Sequence, residues 1–143
     1  MGILRPIDNR FTIDGVAMPR PNYFIFKDKW MNNGDNVETN INNGEVILAP
    51  ICKKATVIWK YSLISHTQLM ILVNAIRATT EAKYKQGFVV KTIDQRFLNS
   101  VTFTSYQPDD FEIPQIAFKR GNEYYYTDVE IELVSKKDDM TWS

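Results

Sequence analysis

Apolar and polar side chains alternate most cleanly over Ala55 to Tyr61, with Val57, Trp59 and Tyr61 on one side and Thr56, Ile58 and Lys60 on the other. A period of two is that of a strand with one buried face. The period then changes. Ser65 is a good helix N-cap, and Gln68 three residues on completes a capping box. Ile64 and Leu69 flank the cap as a hydrophobic staple. Leu69, Leu72, Val73 and Ile76 follow at helical spacing, widened by Met70 and Ile71, and predict one helix lying on a core through that stripe. Strands are predicted again at Phe88 to Ile93, Val101 to Tyr106, Ile116 to Lys119 and Glu123 to Val134, with Arg120-Gly121-Asn122 as a hairpin turn. In the last strand Tyr125, Thr127, Val129, Ile131 and Leu133 would face inward, and Asp128, Glu130 and Glu132 outward.

The amino-terminal third is more punctuated. Phe11, Ile13 and Val16 suggest a short strand with a turn at Asp14-Gly15, and Tyr23 to Phe26 suggest another after Pro19-Arg20-Pro21. Residues 30–48 read as an extended polar loop, with Asn33-Gly34 and Asn43-Gly44 as its strongest turn signals. Strands, one helix, then more strands give a mostly β (α+β) fold. A single domain is predicted over residues 1–135, with 136–143 as a flexible polar tail.

Composition narrows the function. The chain has 143 residues, 44% hydrophobic, 13% aromatic and 24% charged, which suits one folded domain with a real core. Lys plus Arg number 17 and Asp plus Glu number 17. That balance argues against a nucleic-acid binder driven by phosphate neutralisation, and it removes net repulsion between copies. One cysteine, Cys52, excludes an intrachain disulfide, and with one histidine, His66, it leaves too few ligands for a closed zinc site. No apolar stretch has the length of a signal peptide or membrane span, so a reducing cytoplasm and no membrane are expected.

Catalytic chemistry finds little footing. His66 stands at the first helical position with no nucleophile or orienting carboxylate in sequence reach. Cys52, between Ile51 and Lys53, reads as a half-buried filler. Asp109-Asp110 and Asp138-Asp139 read as solvated turns, and Tyr124-Tyr125-Tyr126 as an aromatic strand. The expectation is therefore a non-enzyme with no cofactor and no metal. The acidic row Asp128, Glu130, Glu132 is either an ordinary solvated face or, repeated around a ring, a channel lining that repels nucleic acid.

Three stretches carry a resemblance: Ile13-Asp14-Gly15-Val16-Ala17-Met18-Pro19-Arg20-Pro21, then Asn43-Gly44-Glu45-Val46, then Lys53-Lys54-Ala55-Thr56-Val57-Ile58-Trp59. With the strand-to-helix step at Leu63 to Ile76, the strand at Phe88-Val89-Val90 and the closing Glu130-Ile131-Glu132-Leu133-Val134, they span about residues 11 to 135. In this ordering the chain resembles the small structural tail proteins of long-tailed bacteriophages and prophages, the tail-tube and distal-tail (baseplate hub) group. The resemblance implies a tail-tube-like β-sandwich or barrel with one flanking helix, built into rings that are commonly hexameric. Its partners would be copies of itself and other tail proteins, in a virion assembled in the bacterial cytoplasm, with DNA passing through the ring. It makes Trp30, Asn33 and Asn43 candidate contacts of a loop that orders against a neighbour, and Lys53 and Lys54 candidate partners of a neighbour's acidic row. The residues themselves leave a second function open: a monomeric β-rich module binding carbohydrate or peptide through Trp30 and the tyrosine run.

Overall fold

The computed structural model describes residues 5–32, 38–39, 46–47, 50–77, 80–106 and 111–143. Its strands are β1 (Ile7–Ile13), β2 (Val16–Pro19), β3 (Tyr23–Asn32), β4 (Glu38–Thr39), β5 (Val46–Ile47) and β6 (Pro50–Ser65). The helices α1 (His66–Ile76) and α2 (Glu81–Gln86) come next. They are followed by β7 (Phe88–Asp94), β8 (Asn99–Ser105), β9 (Phe118–Arg120), β10 (Glu123–Val134) and β11 (Thr141–Trp142). Among the described residues every pairing is antiparallel: one sheet runs β11-β8-β7-β1-β2, a second runs β3-β6-β10-β9, and β4 pairs with β5. The fold is thus mostly β, as the alternation predicts.

The inner faces of the two sheets share one apolar core. Phe11, Ile13, Val90, Val101 and Phe103 from the first sheet meet Phe26, Val57, Trp59, Ile131 and Leu133 from the second. Trp59 is the bridge. Its ring meets Phe11 edge-on at 5.7 Å, and its indole N–H donates to Thr92 Oγ1 at 3.0 Å across the sandwich. Helix α1 closes one end through Leu69, Leu72 and Ile76, packing on β2, β6 and β10. Ser65 caps it by accepting from Gln68 N–H, but the Gln68 amide does not return to the cap. It bonds both backbone groups of Arg5 instead, tying the amino-terminal arm to the helix.

On β6 the inward residues step by two through Ala55, Val57, Trp59 and Tyr61, then by three to Ile64. On β10 they step through Leu133, Ile131 and Val129, then by three to Tyr126. The slips are matched, because Tyr61 pairs with Val129 and Ile64 with Tyr126. Asp128 takes the left-handed conformation there, at φ 57°. This corrects the expected inward Thr127: it is exposed, and Tyr126 takes its place in the core. Tyr125 is covered separately by Phe118, stacked at 5.0 Å.

Other expectations also change. Residues 30–48 are not one loop, because β3 runs through Trp30 to Asn32 and β6 begins at Pro50, while β4 and β5 pair with each other. Trp30 therefore sits on a strand. A second helix, α2, joins the single one expected, since Thr80 Oγ1 accepts from Lys83 N–H at 3.1 Å and Glu81 lies in the first turn, where the helix dipole favours it. Residues 136–143 do not trail away as a flexible tail. Thr141 and Trp142 pair with Thr102 and Val101, and the carboxylate of Asp139 accepts from Thr104 N–H and its hydroxyl. Those partners lie far away in sequence, which is why a polar stretch reads locally as loose.

Gly87 joins α2 to β7 at φ 78°, and a Cβ there would collide with the Ser105 carbonyl oxygen of the neighbouring strand. Replacing Gly87 with alanine is expected to cost about 2–4 kcal/mol, from the left-handed backbone and the overlap together. A fall in the urea midpoint at unchanged m-value measures it.

Candidate interaction surface

Among the described residues, a dense polar arrangement lies at the end of the sandwich where β3, β6, the β7–β8 loop and β11 converge. Asp94 closes β7 with a side chain at 0% exposure. It accepts from Arg96 Nε at 3.0 Å and Nη2 at 2.9 Å, and from the Trp142 indole N–H at 2.9 Å. Arg96 also bonds Asp28 of β3 at 2.8 Å, and Lys53 pairs with the same Asp28 at 3.2 Å. Burial alone would push the Asp94 and Asp28 carboxyls up. The hydrogen bonds from Arg96, with Trp142 on Asp94 and Lys53 on Asp28, outweigh it and hold both below the ordinary carboxylate range. The same bonds raise the Arg96 guanidinium.

Aromatic rings surround this network. The Lys53 ammonium lies 5.7 Å from the Trp30 ring centre and 5.6 Å from that of Trp142. The Arg96 guanidinium sits between Phe26 and Phe97, at 5.3 Å from each. The carboxylates are buried on the inside, while Trp30 is 58% exposed, Phe97 66% and Leu98 82%. Exposed apolar groups gathered in one place mark interaction sites more often than scattered ones do.

The expected interface residues are distributed as follows. Trp30 belongs to this end surface. Lys53 is there too, but turned onto Asp28 and two indoles of its own chain, so its own fold already supplies the acidic partner expected from a neighbour. Lys54 lies opposite Lys29 in the β3–β6 register, away from that network. Asn33 and Asn43 lie outside the described residues. Asp128, Glu130 and Glu132 are exposed on the outer face of the β3-β6-β10-β9 sheet, as expected, but the row is not uniformly acidic. Glu130 faces Lys60 across the strands at 3.7 Å, and Glu132 lies opposite Ile58.

Where the inward slip leaves the short Ser62 and Asp128 side by side, the outer face sinks into a cleft of about 370 Å³. Tyr23, Lys60, Tyr61, Val129 and Glu130 complete its lining, with the Lys60 ammonium 5.4 Å from the Tyr23 ring centre. The Asn22 side chain accepts from Ser62 N–H at 2.9 Å. His66 Nδ1 lies 3.2 Å from the Tyr126 hydroxyl. Among the described residues no three of His, Cys, Asp and Glu gather at metal-binding distance, and no helix is long and apolar enough to cross a membrane.

Compared with known proteins, the chain matches no family model, no curated protein and no solved structure. The surface rests on geometry. Sequence reasoning found Trp30 and Lys53 but missed Asp94, Arg96, Phe97, Leu98 and Trp142. One signal was present: Phe97-Leu98 puts two large apolar residues inside a hairpin loop, where small or polar ones are usual.

Proposed function

We propose that this chain is a non-catalytic structural subunit of a phage-tail-type assembly, forming rings of a tail tube or distal tail with copies of itself and sister subunits. The observation that carries the reading is the end surface of Trp30, Trp142, Phe97 and Leu98, held rigid by the Asp94–Arg96–Asp28 network. A folded domain gains nothing by itself from exposing these side chains on a fixed frame, whereas an interface needs pre-organised aromatic and arginine anchors. The antiparallel sandwich with α1 at one end agrees with the architecture that the sequence resemblance implies. In this reading assembly takes place in the bacterial cytoplasm and the product is part of a virion.

Light scattering and negative-stain microscopy across a concentration series test it. Rings, tubes or discrete oligomers are the expected result. A chain that stays monomeric and shows saturable binding of a sugar or peptide would replace the reading with the monomeric module, which the cleft beside Tyr23 favours.

A further inference from the structure

Three lysines gather on the outer face of the β3-β6-β10-β9 sheet. Phe26, Ala55 and Val57 point into the core, so the alternation turns Lys27 and Lys29 of β3 and Lys54 of β6 outward. Lys29 and Lys54 lie directly opposite each other in the register, and Lys27 is two residues along on the same face. Like charges in that position destabilise a sheet. Among the described residues none of the three has an acidic partner. Asp28, between Lys27 and Lys29, is turned onto Arg96 and Lys53, and Asp138 accepts from the Lys53 N–H at 3.1 Å. Folding alone does not explain this basic cluster in a chain of zero net charge.

The opposite charge stands on the same face. Asp128 and Glu132 of β10 are exposed and have no cationic partner among the described residues, whereas Glu130 is already paired with Lys60. One chain cannot join its own two clusters. Glu132 lies opposite Ile58, four residues along β6 from Lys54 and roughly 14 Å away at the rise of a strand. Asp128 lies level with Ser62, twice as far. Between the clusters Ile25 and Ile58 face each other across β3 and β6, only partly buried. The face thus has a basic end, an apolar middle and an acidic end.

We infer that this face pairs with the same face of a second copy, Lys27, Lys29 and Lys54 of each against Asp128 and Glu132 of the other. A two-fold axis lying between the faces and crossing the strands near Ile58 exchanges the two ends, so both sets of charges are matched and the isoleucines meet at the centre. Electrostatic complementarity of this kind fixes partner and register. The contact closes at a pair, and it uses a different surface from the aromatic end proposed above for assembly, which stays free for larger assemblies.

Sedimentation velocity on the full chain and two double variants tests the contact. Pairing of the wild type is expected to weaken as salt rises to about 0.5 M, since the charges are exposed. Lys27→Glu with Lys54→Glu makes both ends acidic, and Asp128→Asn with Glu132→Lys removes the acidic end. Each is expected to weaken pairing with itself by about tenfold or more. The first is also expected to raise the urea midpoint, because an acid then faces Lys29, which separates lost pairing from lost folding. An equimolar mixture of the two variants is expected to recover a one-to-one pair, because an acidic face meets a basic one. If the wild type associates but the variants associate equally well, or if mixing restores nothing, this contact is overturned while the assembly reading stands. A wild-type chain that stays monomeric overturns both. Binding of a single-stranded DNA oligonucleotide by a monomeric wild type, abolished by the lysine substitutions, overturns the contact and assigns the basic end to nucleic acid.

Discussion

Replacing Asp94 with alanine is expected to destabilise the protein by about 3–5 kcal/mol, the usual cost of removing one partner from a buried ion pair. The carboxylate is fully buried and accepts from the Arg96 backbone N–H, two nitrogens of its guanidinium and the Trp142 indole. Without it, Arg96 keeps only Asp28, and the Trp142 N–H loses its partner in a half-apolar site. The loss is expected to begin locally. Strand β11 holds only two residues in its sheet, so hydrogen exchange at Thr141 and Trp142 should accelerate before the body of the sandwich opens. Asp94→Asn keeps the shape and one acceptor oxygen, so a smaller loss is expected.

Acid should act on the same lock. The folded Asp94 carboxyl titrates below its ordinary value, so between the folded and unfolded values unfolding takes up a proton and stability rises with pH. The stabilisation is complete above the unfolded value, near pH 4, and is lost as the pH falls through the folded one. Asp28 adds to it in the same direction. Denaturation midpoints measured from pH 7 down to about 2 should stay level and then drop below about pH 4, with a shallower drop in Asp94→Asn.

Trp59→Ala is the second large effect, expected at about 3–5 kcal/mol. Trp59 fills the space between the sheets beside Phe11, and its truncation leaves a void that the flanking strands cannot collapse into. It also strips the buried Thr92 hydroxyl of its donor. Total stabilities of small domains are of the same order, so the variant is expected to be partly unfolded at 37 °C. Circular dichroism and a calorimetric melt would show this. Trp59→Phe, which keeps an apolar ring, should recover more than half the loss.

Legibility in the sequence followed the range of the interaction that decides each feature. β6, the body of β10 and the Ser65 cap of α1 are set by neighbours within a few residues, and alternation or capping spacing shows them directly. Strict alternation turns Thr127 inward, whereas the slip at Asp128 is matched by one on β6, more than sixty residues away, which a single strand does not reveal. The docking of 136–143 depends on Thr104, Val101 and Asp94, none of them nearby. Asp94 reads locally as a turn former, and only the fold buries it against Arg96 and Trp142. The left-handed backbone of Leu98 leaves no trace in the apolar pattern; only the large apolar pair Phe97-Leu98 in a loop marks the place.

The matched slip has a consequence for how these two strands change over time. A one-residue deletion in β6 alone would turn half of that strand inside out against a partner that had not moved, exposing core residues and burying charged ones. Losing Ser62 and Asp128 together would instead leave both strands alternating without interruption. Descendants of this fold can therefore gain or lose residues here only in pairs, and the cleft on the outer face would appear or vanish with them.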